Sequence, residues 1–186
     1  RLEPKKGLEN LIAAWKRMAR HRPDWVLEVC GPDRRGYLNH LKVLAKTDGE
    51  VRINFTGPVF GSERDALIGD SKVFMLPSKN ENFGLTVAEA LSVGTPVMAS
   101  TGTPWSGLVD QGAGWWTDDR TETIAHGLLH ATSLPDATLE AMGQRGQDWM
   151  LRSFRWDDIA SEMVNFYNDI SGCTAQVQPS AMGLCR

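Results

Sequence analysis

Residues 80–90 read Asn80-Glu81-Asn82-Phe83-Gly84-Leu85-Thr86-Val87-Ala88-Glu89-Ala90, and they join two segments of different character. Upstream, Val73-Phe74-Met75-Leu76-Pro77 is a short apolar run, the pattern of a strand buried on both faces. Downstream, Leu85 to Val93 reads as a helix closed by Gly94, and Pro96-Val97-Met98-Ala99-Ser100 as a second buried strand. A strand, a tight loop, a helix and another strand in that order imply a parallel sheet.

The rest of the chain extends this alternation. Leu8, Leu11, Ile12, Trp15 and Met18 recur at helical spacing, so residues 7–21 read as an amphipathic helix ended by Pro23. Strands are expected at Trp25–Cys30 and Val51–Phe55, helices at Tyr37–Lys46 and Ser62–Asp70, and a weak strand at Trp115–Thr117. Ser62 is the expected cap of its helix. From Asp119 on, helices are expected over 120–133, 136–152 and 156–170. This order specifies an α/β, Rossmann-like, doubly wound parallel sheet over residues 1–170, with 171–186 as a tail. In such a sheet the ligand sits at the carboxyl ends of the strands.

Composition sets limits. The chain has 186 residues, 41% hydrophobic and 23% charged, with a net charge of −3. That balance gives no electrostatic reason to expect nucleic acid or a membrane surface as partner. No apolar run is long enough to span a bilayer. Three scattered cysteines make no disulfide framework; Cys30 reads as a buried thiol, and a reducing, cytoplasmic compartment fits.

The loop before Leu85 has the character of a ligand site. Gly84 lets the backbone approach a ligand closely. The first amides of the helix favour an anion such as phosphate. Two carboxylates there would repel phosphate, but they suit hydrogen bonds from sugar or ribose hydroxyls. Locally, Thr86 and Glu89 also fit a capping box, and Glu81 fits a solvated loop acid.

The stretch PSKNENFGLTVAEALSVGTPVMAS resembles the donor-site signature of the retaining GT-B glycosyltransferases of family 4 (group 1), with Glu81 and Glu89 as the Glu-x7-Glu pair. RLEPKKG and FTGPV are similar to two further elements of that family, in the same order. The resemblance implies the C-terminal, donor-nucleotide half of a GT-B fold. By it, Glu89 binds the ribose hydroxyls and Glu81 faces the donor sugar. The amides of Phe83, Gly84 and Leu85, flanked by Asn82 and Thr86, reach the sugar and diphosphate. Arg1 and Lys6 match a cationic pair on the diphosphate, and Val59 lies where the backbone meets the base. The implied donor is a nucleotide-diphosphate sugar of UDP or GDP type, used without a metal. The implied acceptor is a glycan or lipid-linked sugar held by an N-terminal domain, in cell-surface polysaccharide or lipopolysaccharide assembly, in the cytoplasm and peripheral to the inner membrane.

TGTPWSGLVDQGAGWW departs from the commoner Gly-Gly-x-Pro-Glu loop of that family, with Trp105 in place of the acid. Trp105 either flanks the sugar or acceptor or anchors its loop. His126 and His130 have metal-ligand spacing, but no HExxH and no third ligand accompany them. There is no Asp-x-Asp pair, Walker A or G-x-G-x-x-G. The chain begins at Arg1, so it is expected to continue a longer protein. In the family a central strand precedes this Arg. Without it, a gap with unpaired backbone groups is expected between 25–30 and 73–77. A nucleotide-sugar-binding module without catalysis, or another GT-B enzyme such as an epimerase or phosphorylase, is the alternative.

Overall fold

In the computed structural model, which describes residues 1–33, 35–46 and 51–171, parallel strands alternate with helices but fall into two sheets. In the first, β1 (Leu27–Cys30) pairs with β2 (Ile53–Gly57), placing Leu27 opposite Ile53 and Val29 opposite Phe55. In the second, β3 (Phe74–Leu76), β4 (Val97–Ser100) and β5 (Gly114–Thr117) lie side by side in that order. Phe74 faces Val97, and Val97 faces Gly114. All three pairings are parallel, as a strand–helix–strand chain requires, because parallel neighbours need a crossover. β1 and β2 start slightly inside their expected spans.

The gap expected between the strands at 25–30 and 73–77 is present. A cavity of about 750 Å³ separates β1 from β3. It is lined by Leu27 and Val29, by Phe74 and Met75, and by Trp15 and Ile68 from the helical layers. Residues 1–7 bridge the two sheets at the carboxyl ends of their strands. The Leu2 amide donates to the Pro32 carbonyl at 3.0 Å, and the Lys79 amide donates to the Lys5 carbonyl at 2.8 Å. Gly7 makes the bridge possible: its φ is +68°, and a Cβ there would overlap the Pro77 carbonyl oxygen.

The helices cover the sheets in layers. α1 (Leu8–Met18) packs on α2 (Tyr37–Ala45) and on α6 (Thr121–Ala131). Its apolar stripe buries Leu11, Ile12, Trp15 and Met18 against Val29 of β1, Leu41 of α2 and Leu128 of α6. Each such side chain contributes roughly 1.5–3 kcal/mol when fully buried, against the entropy of ordering it. α3 (Gly61–Gly69) lies beside α4 (Leu85–Ser92). The single turn α5 (Gly107–Asp110) precedes β5, and α7 (Asp136–Ser153) follows α6.

α4 ends as the sequence suggests. Gly94 takes φ +81°, the Thr95 amide donates to Ala90 and the Gly94 amide to Leu91, each at 3.0 Å. This pair of bonds is a Schellman motif and satisfies two terminal carbonyls. The helix caps, rather than the starts, differ from expectation: α2, α4 and α7 begin at the expected residues Tyr37, Leu85 and Asp136. α3 begins at Gly61 after Phe60, so Ser62 lies inside its first turn and caps nothing. α4 begins at Leu85 with Gly84 in the left-handed region, so Thr86 is not the cap and Glu89 falls in the second turn. The capping box is therefore absent: the Val87 amide instead donates to the Gly84 carbonyl at 2.8 Å.

Arg1–Leu151 forms one compact unit, and a second begins at Arg152. The described part of the second holds α8 (Trp156–Ser171), an amphipathic helix. The expected tail, 171–186, lies outside the described residues except for Ser171. Among the described residues, no helix is long and apolar enough to cross a membrane.

Candidate functional site

The loop from Pro77 to Gly84 leaves β3 at the carboxyl edge of the second sheet and leads into α4. Hydrogen bonds hold it from three sides. Ser78, fully buried, accepts a hydrogen bond at its carbonyl from Ser100 Oγ at the end of β4. The Lys79 amide is held by Lys5, and the Glu81 amide donates to the Gly102 carbonyl at 2.8 Å. The loop thus gets its shape from the end of β4 with the turn after it and from residues 1–7, which a reading of the loop alone does not contain.

Glu81 is not a solvated loop acid. Its side chain is 13% exposed, and Oε1 accepts hydrogen bonds from Lys6 Nζ and from Ser78 Oγ. Burial alone would raise its pKa, but these bonds and the Lys6 charge outweigh it and hold the carboxyl below its usual range. Arg1 is more open: its side chain is half exposed and its Nε lies 3.8 Å from Glu3 Oε1.

Glu89 also has a cationic partner. Arg64 Nη1 on α3 lies 3.0 Å from Glu89 Oε1. The second oxygen, Oε2, is buried and has no hydrogen-bond partner among the described residues. Arg64, Val59 and Thr86 line the same cavity as Arg1 and Lys6. The arrangement is therefore two cation–carboxylate pairs flanking the start of α4. In each, the cation lines the cavity, whereas Glu81 and Glu89 are not among its lining residues.

Trp105 is the loop anchor rather than a sugar-facing ring. It is 2% exposed, its indole N–H donates to the Phe83 carbonyl, and it packs edge-on to Trp149 with ring centroids 5.6 Å apart. The Phe83–Gly84 peptide is planar and trans, so tying its carbonyl to the indole directs the Gly84 amide the other way. Gly84 fits beneath: its φ is +77°, and a Cβ would stand 3.2 Å from Leu76 and 3.5 Å from the indole nitrogen. Asn82, Phe83, Leu85 and Thr86 are exposed around it.

The structure thus brings Lys6, Glu81 and the start of α4 together, and sets Arg1 and Val59 on the same cavity. Sequence reasoning missed Ser78 and Arg64 as partners of the two glutamates. Arg64 carried no motif; only its place one turn into the helix after FTGPV brings it near α4. Cys30, at the end of β1, is half-buried rather than buried, and burial raises its thiol pKa. His130 packs edge-on against Trp115, and no group of three or more potential metal ligands occurs among the described residues.

The family model described as glycosyl transferases group 1 matches residues 1–149. The chain belongs to the group 1 glycosyl transferases. Among its curated relatives is a D-inositol 3-phosphate glycosyltransferase of Salinispora tropica (strain ATCC BAA-916 / DSM 44818 / JCM 13857 / NBRC 105044 / CNB-440), 32% identical over 178 residues. That match covers 91% of this chain and 37% of the relative, so the chain spans well under half of its length. Two solved structures share the fold. The C-terminal domain of a group 1 family glycosyl transferase from Francisella tularensis superposes with a TM-score of 0.71 at 23% identity, covering 83% of each chain. Anabaena HepE in complex with UDP and glucose gives a TM-score of 0.74 at 20% identity, covering 91% of this chain and 46% of that one. The α/β architecture described above is accordingly the Rossmann-like C-terminal half of a GT-B glycosyltransferase fold.

Proposed function

We propose that residues 1–170 are the donor-nucleotide half of a family 4 glycosyltransferase that transfers a hexose from a nucleotide-diphosphate sugar with retention at the anomeric carbon. The observation that carries this reading is the pair of cation–carboxylate contacts, Lys6 with Glu81 and Arg64 with Glu89, on either side of the α4 N-terminus. Within that region Lys6 supplies a donor for a diphosphate, the two carboxylates supply acceptors for hydroxyls, and Arg64 holds Glu89.

In this reading the diphosphate lies against Arg1, Lys6 and the first amides of α4. Negative charge grows on it as the glycosidic bond breaks, and fixed cations and amide dipoles stabilise that charge most when it is fully developed. Their cationic side chains take the place that a metal ion would otherwise fill. Glu81 faces the sugar, oriented by Ser78. Glu89 accepts from the ribose hydroxyls. Asn82, Phe83 and Thr86 wall the site, and the backbone at Val59 meets the base. The acceptor, a glycan or lipid-linked sugar, is held by an N-terminal domain, so the isolated chain binds donor without turning it over. The HepE complex with UDP supports a UDP-type donor, with GDP as the other choice. Cell-surface polysaccharide or lipopolysaccharide assembly at the cytoplasmic face of the inner membrane fits such an acceptor.

Calorimetric titration of the chain with UDP, GDP and ADP tests the reading. One diphosphate is expected to bind, and Glu89→Ala to weaken it on the order of tenfold or more, the worth of a hydrogen bond to a charged group. Binding of none of the three, with Glu89→Ala without effect, would discard the site. A full-length protein that binds tightly but transfers no sugar would leave a binding module instead.

A further inference from the structure

Arg64 is placed to do more than join two helices. Its guanidinium has its nitrogens divided between two carboxylates. Nε and Nη2 lie 3.3 and 3.0 Å from Asp65 Oδ1, and Nη1 lies 3.0 Å from Glu89 Oε1. The group is planar and rigid, so Asp65 fixes the plane from one side and the plane then fixes where Nη1 points. Glu89 Oε1 is held at that point. Oε2 remains buried and unpartnered among the described residues, a costly state for a carboxylate oxygen unless a donor completes it. Arg64 itself lines the cavity with Val59 and Thr86, so the group that holds the carboxylate borders that space although Glu89 does not line it.

We infer that Arg64 is a positioning residue for hydroxyl recognition: clamped by Asp65, it orients Glu89 so that Oε2 is left free to accept from a ribose hydroxyl. This rests on the reading of Glu89 as the ribose ligand and adds the group that sets its geometry. Arg64 acts through Glu89 and makes no contact with the nucleotide. A carboxylate already held in its binding rotamer loses less freedom on binding, which is the source of the gain. An arginine serving only to join α3 to α4 would affect every ligand equally.

The test therefore compares ligands as well as variants. The full chain is titrated by calorimetry with UDP and GDP and with their 2′,3′-dideoxy analogues. In the parent, the hydroxylated nucleotide is expected to bind on the order of tenfold or more tightly than its dideoxy partner. Arg64→Met is expected to bring that ratio close to one while leaving the dideoxy affinity unchanged. Arg64→Lys is expected to recover part of the ratio, since an ammonium reaches Glu89 but cannot hold both carboxylates in one plane. Asp65→Asn loosens the clamp without touching Glu89, and it should lower the ratio in a chain that folds even if Arg64→Met does not. Equal weakening of both ligands in Arg64→Met, or an undiminished ratio in both Arg64→Met and Asp65→Asn, overturns the inference and leaves the Glu89 reading standing. A parent that binds both ligands alike overturns the two together.

Discussion

Lys6 and Glu81, 75 positions apart in sequence, form a hydrogen-bonded ion pair that Ser78 completes on the same carboxylate oxygen. Both side chains are mostly buried, at 20% and 13% exposure. Removing one partner of such a pair leaves a poorly solvated charge, which costs more than the pair itself contributes. Lys6→Met is expected to lower the free energy of unfolding by about 1–3 kcal/mol, read from urea denaturation. Glu81→Gln should cost less, because a neutral amide still accepts from Ser78. The double variant should be more stable than the sum of the single losses implies. Additive losses would mean that the two residues do not interact in solution.

The same pair sets a pH dependence. The Glu81 carboxyl is held below its ordinary value of 4.5, since the Lys6 and Ser78 contacts overcome the opposing effect of burial. A folded value below the unfolded one means that the unfolded chain binds this proton more tightly. The stabilisation is then fully present above the unfolded value and is lost as pH falls through the folded one. The stability difference between the parent and Glu81→Gln should be flat around neutral pH and shrink in acid, below about pH 4.5. A difference that stays constant through that acid range would contradict the pairing.

Trp105 links stability to the shape of the donor loop. Trp105→Ala removes a buried ring that contacts Phe83 and Trp149, and should cost about 3–5 kcal/mol. Trp105→Phe keeps most of the ring and loses the indole N–H bond to the Phe83 carbonyl. It should cost only about 1 kcal/mol of stability. Hydrogen exchange at Gly84 and Leu85 should nevertheless speed up, because the peptide plane before α4 is released. Exchange equal to the parent's would show that the Trp105 contact does not order the loop.

The alternation of apolar runs made the order of elements legible, because β4 is buried on both faces, β1 and β2 alternate more buried with exposed positions, and α1 presents one apolar stripe. The helix caps were not legible. Thr86 and Glu89 have the spacing of a capping box, yet Gly84 takes a left-handed conformation beneath Trp105 and occupies the cap position itself. That contact spans 22 positions and leaves no local trace. The same holds for Arg64 and Ser78. A motif names Glu81 and Glu89, but not the side chains that hold them, since those arrive from a different helix or from a strand end. Trp105 was recognisable as a departure from a familiar loop, and its burial settles which of its two expected roles it takes.

The slot between β1 and β3 yields the last expectation. β1 pairs only with β2, and β3 only with β4, so each has one edge without a ladder partner among the described residues. Between those edges lies the apolar cavity of about 750 Å³, and Trp15 Nε1 beside it is buried without a hydrogen-bond partner. Arg1 stands at the carboxyl end of the slot, held through Leu2 and Pro32. A strand leading into Arg1 and parallel to both neighbours would satisfy both edges and fill the apolar space. About five residues suffice, because a strand rises roughly 3.3 Å per residue. Joining a run such as Val-Ile-Val-Leu-Val to Arg1 should therefore raise the urea midpoint, with the gain coming from burial of apolar area and from ladder bonds. Placing proline at the centre of that run should remove most of the gain, since proline has no amide to donate and is excluded from a central strand. If the apolar run and its proline variant shift the midpoint equally, the added segment is sticking to the surface rather than pairing with β1 and β3.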